Sequence, residues 1–151
     1  MTELFIHKSI EVNASADALW KVLTDNALIP QYMFGCVAET DWQPGSPLLW
    51  KGAADGKLYV KGQIVAVDPP HRLVYTCIDP NNPTIPDVPA NYLTMSYELR
   101  PHGAGSIFEI IQGDYSKVAE GHKRYEDTLK GDDYILKKIK ELAEGLQVTT
   151  P

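Results

Sequence analysis

The sequence predicts an α+β fold in which a curved antiparallel sheet of about seven strands wraps around a long C-terminal helix. Residues 118–146 carry an apolar stripe at helical spacing, whereas the middle of the chain alternates between apolar and polar residues. Turn-forming pairs such as Pro44-Gly45 and Asp55-Gly56 separate the alternating stretches. A helix of about 27 residues would be about 40 Å long, so many strands must share its apolar face.

Composition favours one domain spanning residues 1–151, because 44% of the 151 residues are hydrophobic. The net charge of -6 argues against a nucleic-acid partner, which would need a concentrated basic patch. No basic flank followed by an apolar run opens the chain, and no stretch approaches the ~20 apolar residues of a membrane span. We therefore expect a cytoplasmic protein whose two cysteines, Cys36 and Cys77, are reduced and buried.

The first strand and the first helix are predicted from hydrophobic alternation and from a helix N-cap residue. Residues 4–12 alternate as a strand with one mostly apolar face, and Ser15 is a good N-cap for a short helix that ends near Asp25. A second helical turn over residues 27–32 is interrupted by Pro30. Six further antiparallel strands are predicted at residues 36–42, 47–51, 57–67, 73–77, 92–99 and 106–112.

The connection between the fifth and sixth strands contains prolines at every third position, namely Pro80, Pro83, Pro86 and Pro89. This spacing suits polyproline II geometry. Either a stiff loop that protects an edge strand or a lid that docks a partner fits the pattern.

The closing helix is predicted to place Tyr125, Leu129 and Leu136 on its buried face, with His122 at the rim. Asp132 interrupts this apolar stripe directly after Gly131. Either Asp132 faces a cavity, where its carboxylate would need a hydrogen-bonding partner, or Asp132 or Asp133 caps a second helix that begins after a break at Gly131.

The inward faces of the predicted strands are aromatic and aliphatic with a few polar tips, which is the lining expected of an apolar ligand site. Each of these side chains fits core packing equally well. A dry void of ~300 Å³ would cost about 7 kcal/mol, so a real cavity must be wet, ligand-filled or small. The predicted cavity lining is Trp20, Trp50, Tyr75, Cys77, Met95, Tyr97, Phe108, Ile110, Tyr125, Leu129, Asp132 and Leu136.

Catalytic and cofactor signatures are missing from the sequence. The histidines His7, His71, His102 and His122 lie in separate predicted elements, so no metal site is expected. No phosphate-binding glycine loop opens a helix, and no catalytic residue or cofactor is predicted.

Four runs of residues carry a family resemblance that covers most of the chain. Residues 10–25, 41–52, 62–75 and 131–144 together resemble the bacterial homologues of the activator of the heat-shock-protein-90 ATPase. That family belongs to the START-like, helix-grip superfamily, so the resemblance implies a helix-grip fold and a hydrophobic ligand held between helix and sheet. Where the family usually has tryptophan and an aromatic residue, this chain has Asp132 and Cys77, and both changes enlarge the expected cavity.

Three functions are consistent with the sequence. The first is non-catalytic binding of a small hydrophobic or aromatic molecule, which the aromatic lining favours. The second is a co-chaperone-like interaction with a heat-shock ATPase, which only the family resemblance suggests. The third is a cyclase or hydrolase that works in the same cavity.

Overall fold

The computed structural model describes residues 3–130 and 133–148. Its strands and helices are β1 (Ile6–Val12), α1 (Ala16–Thr24), β2 (Cys36–Glu39), β3 (Pro47–Gly52), β4 (Leu58–Asp68), β5 (Arg72–Cys77), β6 (Leu93–His102), β7 (Gly105–Gly113), α2 (Gly121–Lys130) and α3 (Tyr134–Val148). Short 3₁₀ turns occupy Ile29–Gln31, Pro89–Asn91 and Tyr115–Lys117.

The strands form one seven-stranded sheet in the order β1-β7-β6-β5-β4-β3-β2, and every neighbouring pair is antiparallel. The pairing shifts register between Trp50 and Lys51 and again between Ile64 and Ala66. Such irregularities bend a sheet and increase its twist. The predicted curved antiparallel sheet is confirmed.

Helix α1 begins as the sequence predicts, because the Ser15 side chain accepts a hydrogen bond from the backbone N–H of Ala18 at 3.2 Å. Its apolar face buries Leu19, Val22 and Leu23. The predicted turn around Pro30 is the 3₁₀ turn at Ile29–Gln31. The turn buries Ile29 and lies against α1 and β2.

The closing segment forms two helices, so the prediction of one continuous helix is wrong and the alternative of a second helix after a break is confirmed. Helix α2 ends at Lys130, and α3 begins at Tyr134 after the non-helical Asp133. The backbone carbonyl of Asp133 accepts the N–H of Lys137 at 2.9 Å, which starts the first turn of α3. A continuous apolar stripe cannot reveal such a break, because two helices in sequence preserve the same spacing. Gly131 and Asp132 lie outside the described residues.

Two apolar clusters support the two helices. Helix α3 buries Leu136, Ile139 and Ala143 in the main core. Helix α2 instead lies over a smaller cluster built from Ile6, Leu93 and Tyr115, against which its Tyr125 packs. The sheet is thus covered at two separate places by the C-terminal segment.

The proline-containing loop is tied down at both ends. The side chain of Asn81 donates to the carbonyl of Leu58 at 2.8 Å, and Asn91 accepts the backbone N–H of Ala119 at 2.9 Å. Because the edge strands are β1 and β2, the loop does not protect an edge strand, as one of the two predicted alternatives required. It covers the start of β4, where Lys61 bridges to Ile78 beyond the end of β5.

Substitution of alanine for glycine is expected to have opposite effects on the free energy of unfolding at two positions. A Cβ at Gly62 in β4 would overlap the backbone carbonyl of Thr76 in β5, whereas a Cβ at Gly145 in α3 meets nothing. We expect Gly62→Ala to lower the free energy of unfolding by about 1–3 kcal/mol through overpacking. Gly145→Ala should raise it by up to about 1 kcal/mol through helix propensity. Urea unfolding measures both, and equal effects would contradict the close approach of β4 and β5 at Gly62.

Candidate functional site

A cavity of about 320 Å³ lies between the concave face of the sheet and the C-terminal helices. Its floor comes from the strands and its roof from α2, α3 and the segment before β2. The floor residues are Ile6, Lys8, Trp50, Val60, Tyr75, Cys77, Met95, Tyr97, Ile110 and Gln112. The roof residues are Met33, Phe34, Thr128, Asp133, Tyr134, Ile135 and Leu136.

The structure brings together most of the predicted strand residues on this cavity. Alternation along each strand sends every second side chain to the concave face, which is why they share one surface. The predicted residues on the cavity wall are Trp50, Tyr75, Cys77, Met95, Tyr97, Ile110 and Leu136.

Four predicted residues lie elsewhere. Trp20 borders a separate surface cleft with Trp42 and Pro44. Phe108 is fully buried beneath the cavity, with its ring centroid 5.5 Å from that of Tyr97. Tyr125 packs on Tyr115 in the smaller cluster.

Leu129 is 48% exposed, although the helical stripe predicts it to be buried. The stripe assumes one helix, whereas Leu129 belongs to α2, which ends before α3 begins. Asp132, the remaining predicted lining residue, lies outside the described residues.

The solvent-facing side of the cavity is formed by residues that the sequence analysis did not select. The rings of Phe34 and Tyr134 stack with centroids 5.5 Å apart and planes inclined by 25°. Phe34 is 75% exposed and has a positive φ of 54°. Its neighbour Gly35, a turn residue, is the one local signal that the chain reverses here. Nothing in the sequence indicates the pairing with Tyr134, since it joins distant elements.

An ion pair stands beside this aromatic pair. The ammonium of Lys8 in β1 donates to the carboxylate of Asp133, and this hydrogen bond lowers the pKa of Asp133. Asp133 also precedes the first turn of α3, where negative charge interacts favourably with the helix dipole. The pair therefore links the start of α3 to the first strand.

Two tyrosines of the cavity wall are hydrogen-bonded to each other through their hydroxyl groups. The phenolic oxygens of Tyr75 and Tyr97 are 2.7 Å apart, and both side chains are buried. Burial raises the pKa of Tyr75 well above its ordinary value and that of Tyr97 to about 12. Both hydroxyls are therefore neutral at physiological pH.

Gln112 supplies a second polar group on the wall. Its side-chain amide donates to the hydroxyl of Tyr115 at 2.7 Å. This bond crosses from the cavity to the smaller apolar cluster, because Tyr115 is buried there. Gln112 is held in place from outside the cavity.

The wall of the cavity is mainly apolar and aromatic, with a few polar groups. Within residues 3–130 and 133–148, no group of three or more histidine, cysteine, aspartate or glutamate side chains is placed to hold a metal ion. The ionisable groups that border the cavity are Lys8, Tyr75, Cys77, Tyr97, Asp133 and Tyr134. The arrangement offers apolar contact, aromatic edges and a few hydrogen-bonding tips.

A curved antiparallel sheet that closes on a C-terminal helix above an apolar cavity defines the helix-grip, START-like class of fold. The chain belongs, more narrowly, to the family described as "Activator of Hsp90 ATPase homolog 1-like protein", whose model matches residues 13–144. The family resemblance noted in the sequence is confirmed. A comparison with curated protein sequences gave no significant match.

Solved structures share this fold over almost the whole chain. A solution structure of a protein from Cytophaga hutchinsonii is 28% identical, with a TM-score of 0.73, and the alignment covers 99% of this chain and 100% of that one. A protein from Mesorhizobium loti is 17% identical, with a TM-score of 0.74 and coverage of 97% and 99%. An HSP90 activator from Plasmodium falciparum is 14% identical, with a TM-score of 0.66 and coverage of 92% and 95%.

Among the described residues, no helix is both long enough and apolar enough to cross a membrane.

Cys77 provides a chemical probe of this cavity. Burial raises the pKa of its thiol from 9.0 to about 11, so at pH 8 the reactive thiolate fraction falls from about one in ten to about one in a thousand. In a Cys36→Ala variant, we expect Cys77 to react with Ellman's reagent about 100-fold more slowly than in the urea-unfolded chain. The rate should still rise with pH above pH 9. A rate that levels off near pH 9 would contradict the burial of this thiol.

Proposed function

We propose that the protein binds a small hydrophobic or aromatic molecule in the cavity between the C-terminal helices and the sheet. The observation that carries this proposal is the cavity itself, whose volume of about 320 Å³ falls at the lower end of the range for ligand sites. That volume suits a compact ligand, such as a bicyclic aromatic molecule, better than a long acyl chain.

The wall favours aromatic ligands in particular. Trp50, Tyr75 and Tyr97 form a continuous group of rings, with centroids 6.0 Å apart for the first pair and 5.5 Å apart for the second. Tilted and edge-to-face rings present both faces and edges, and an aromatic guest can pack against either. The flexible side chain of Met95 lies beside them and adapts to guests of different shape.

The entrance supports binding from water. Phe34 and Tyr134 expose aromatic surface where the cavity meets solvent. An apolar molecule that contacts this surface loses part of its hydration before it enters. The adjacent ion pair of Lys8 and Asp133 is electrically neutral as a unit, so it does not favour ligands of either charge.

Filling the cavity should abolish binding. Met95 points into the cavity from β6, whereas its neighbour Thr94 is exposed on the opposite face of the same strand. We expect Met95→Trp to weaken binding of the neutral fluorescent probe N-phenyl-1-naphthylamine about tenfold or more, because the indole occupies the space.

The matched variant Thr94→Trp adds the same ring outside the cavity and should bind the probe as the wild type does. Fluorescence titration measures both dissociation constants. Equal weakening in the two variants would place the probe elsewhere, and absence of probe binding to the wild type would contradict the proposal.

A second candidate function is activation of a heat-shock ATPase. The family description and the fold shared with the HSP90 activator from Plasmodium falciparum favour it. This role predicts that the purified protein accelerates ATP hydrolysis by the bacterial heat-shock-protein-90 homologue in a concentration-dependent manner. A steady-state rate that stays unchanged at saturating protein would exclude it, and the ligand-binding proposal would be unaffected.

A further inference from the structure

Tyr75 and Tyr97 place two hydroxyl groups side by side on the cavity wall. They come from adjacent strands, their oxygens are 2.7 Å apart, and their rings meet nearly at right angles, at 83°. Their side chains are only 4% and 6% exposed. Both residues border the cavity, so a molecule within it lies against them.

The Tyr75–Tyr97 pair has one hydroxyl proton that is not donated within the pair. Two hydroxyl groups carry two protons, and the hydrogen bond between them involves only one of these protons. Among the described residues, each of these hydroxyls has the other as its hydrogen-bonding partner. A buried O–H group without an acceptor destabilises the folded protein. The second proton therefore favours a ligand that carries a hydrogen-bond acceptor.

The charge of the pair points to a neutral acceptor. Burial raises the pKa of both hydroxyls, so the pair donates a proton and carries no charge. The single cationic side chain among the described residues of the wall is Lys8, and its ammonium is paired with Asp133. A carboxylate entering the cavity would lose its hydration and find no free cation in return.

We propose that the Tyr75–Tyr97 pair recognises a carbonyl oxygen, so that the site selects neutral aromatic ketones or esters over hydrocarbons of the same shape and over the corresponding carboxylates. This inference rests on the proposed ligand-binding function and adds the chemical class of the ligand. Either hydroxyl donates to the carbonyl while accepting from its partner, and the donor thereby becomes more polarised than a single tyrosine.

Two ligands of matched shape test the proposal. The compound 2-acetylnaphthalene carries a carbonyl group where 2-isopropenylnaphthalene carries a C=CH₂ group, and both compete with N-phenyl-1-naphthylamine for the cavity. The ratio of their dissociation constants is compared between the wild type and the double variant Tyr75→Phe/Tyr97→Phe. This comparison cancels the difference in hydration between the two ligands.

We expect the preference for the ketone to fall by about three- to tenfold in the double variant, as one lost hydrogen bond predicts. Each single variant retains one hydroxyl proton and should keep part of the preference. Tyr32→Phe is the control, because its buried hydroxyl donates to the carbonyl of Leu23 and does not border the cavity. It should leave the ratio unchanged.

Infrared spectroscopy of the wild type gives a second measurement that needs no variant. The carbonyl stretching frequency of bound 2-acetylnaphthalene should be lower than in hexane, since a donated hydrogen bond weakens the C=O bond. An unshifted frequency would overturn the inference. Tighter binding of 2-naphthoate than of the ketone at pH 7 would also overturn it.

The two proposals fail in different ways. If both naphthalenes displace the probe but the double variant keeps the full preference for the ketone, carbonyl recognition is wrong and ligand binding stands. If neither the probe nor any naphthalene binds the wild type, the proposed function fails, and the inference fails with it.

Discussion

The alternation of side chains along β5, β6 and β7 is the constraint on which the site depends. Pairing places Tyr75 opposite Met95 and Leu73 opposite Tyr97, so these residues all face the same side of the sheet. A slip of one residue would turn every one of them to the outer face. The buried aromatic and aliphatic side chains hold the register, and the register in turn creates the concave surface.

Two helices with separate supports lie above that surface. Helix α3 is fixed in the main core by Leu136 and Ile139, while α2 lies over a different cluster. The roof between these two supports includes Thr128 of α2 and Asp133, which precedes α3. The cavity therefore lies where the two helices meet the concave face of the sheet.

Most of the fold could be predicted from the sequence because period-two alternation and turn residues are local signals. The same alternation identified Trp50, Tyr75, Cys77, Met95, Tyr97 and Ile110 as inward-facing, and these residues line the cavity. The closing helix was harder, because its spacing is the same whether the helix is continuous or broken. The prediction that Leu129 is buried assumed one continuous helix, and it is wrong for the same reason.

Contacts between elements that are far apart in the sequence could not be predicted from its hydrophobic pattern. The stacking of Phe34 on Tyr134 and the ion pair of Lys8 with Asp133 join segments more than 90 residues apart, and periodicity says nothing about such pairs. For Trp20, the local pattern predicts burial but does not show which part of the structure the side chain borders. Its spacing in α1 indicates a buried face, but only the packed structure shows that it borders a different cleft.

The separate support of α2 has a consequence for motion. This helix lies over a small cluster through Tyr125, and its residues His122 and Leu129 are exposed, whereas α3 is embedded in the main core. Local opening costs least where few apolar contacts are lost, so we expect α2 to detach at a lower free energy than α3 and to exchange its amide hydrogens faster. Because Thr128 of α2 forms part of the roof, that opening gives the interior a route of exchange that leaves the sheet and α3 folded.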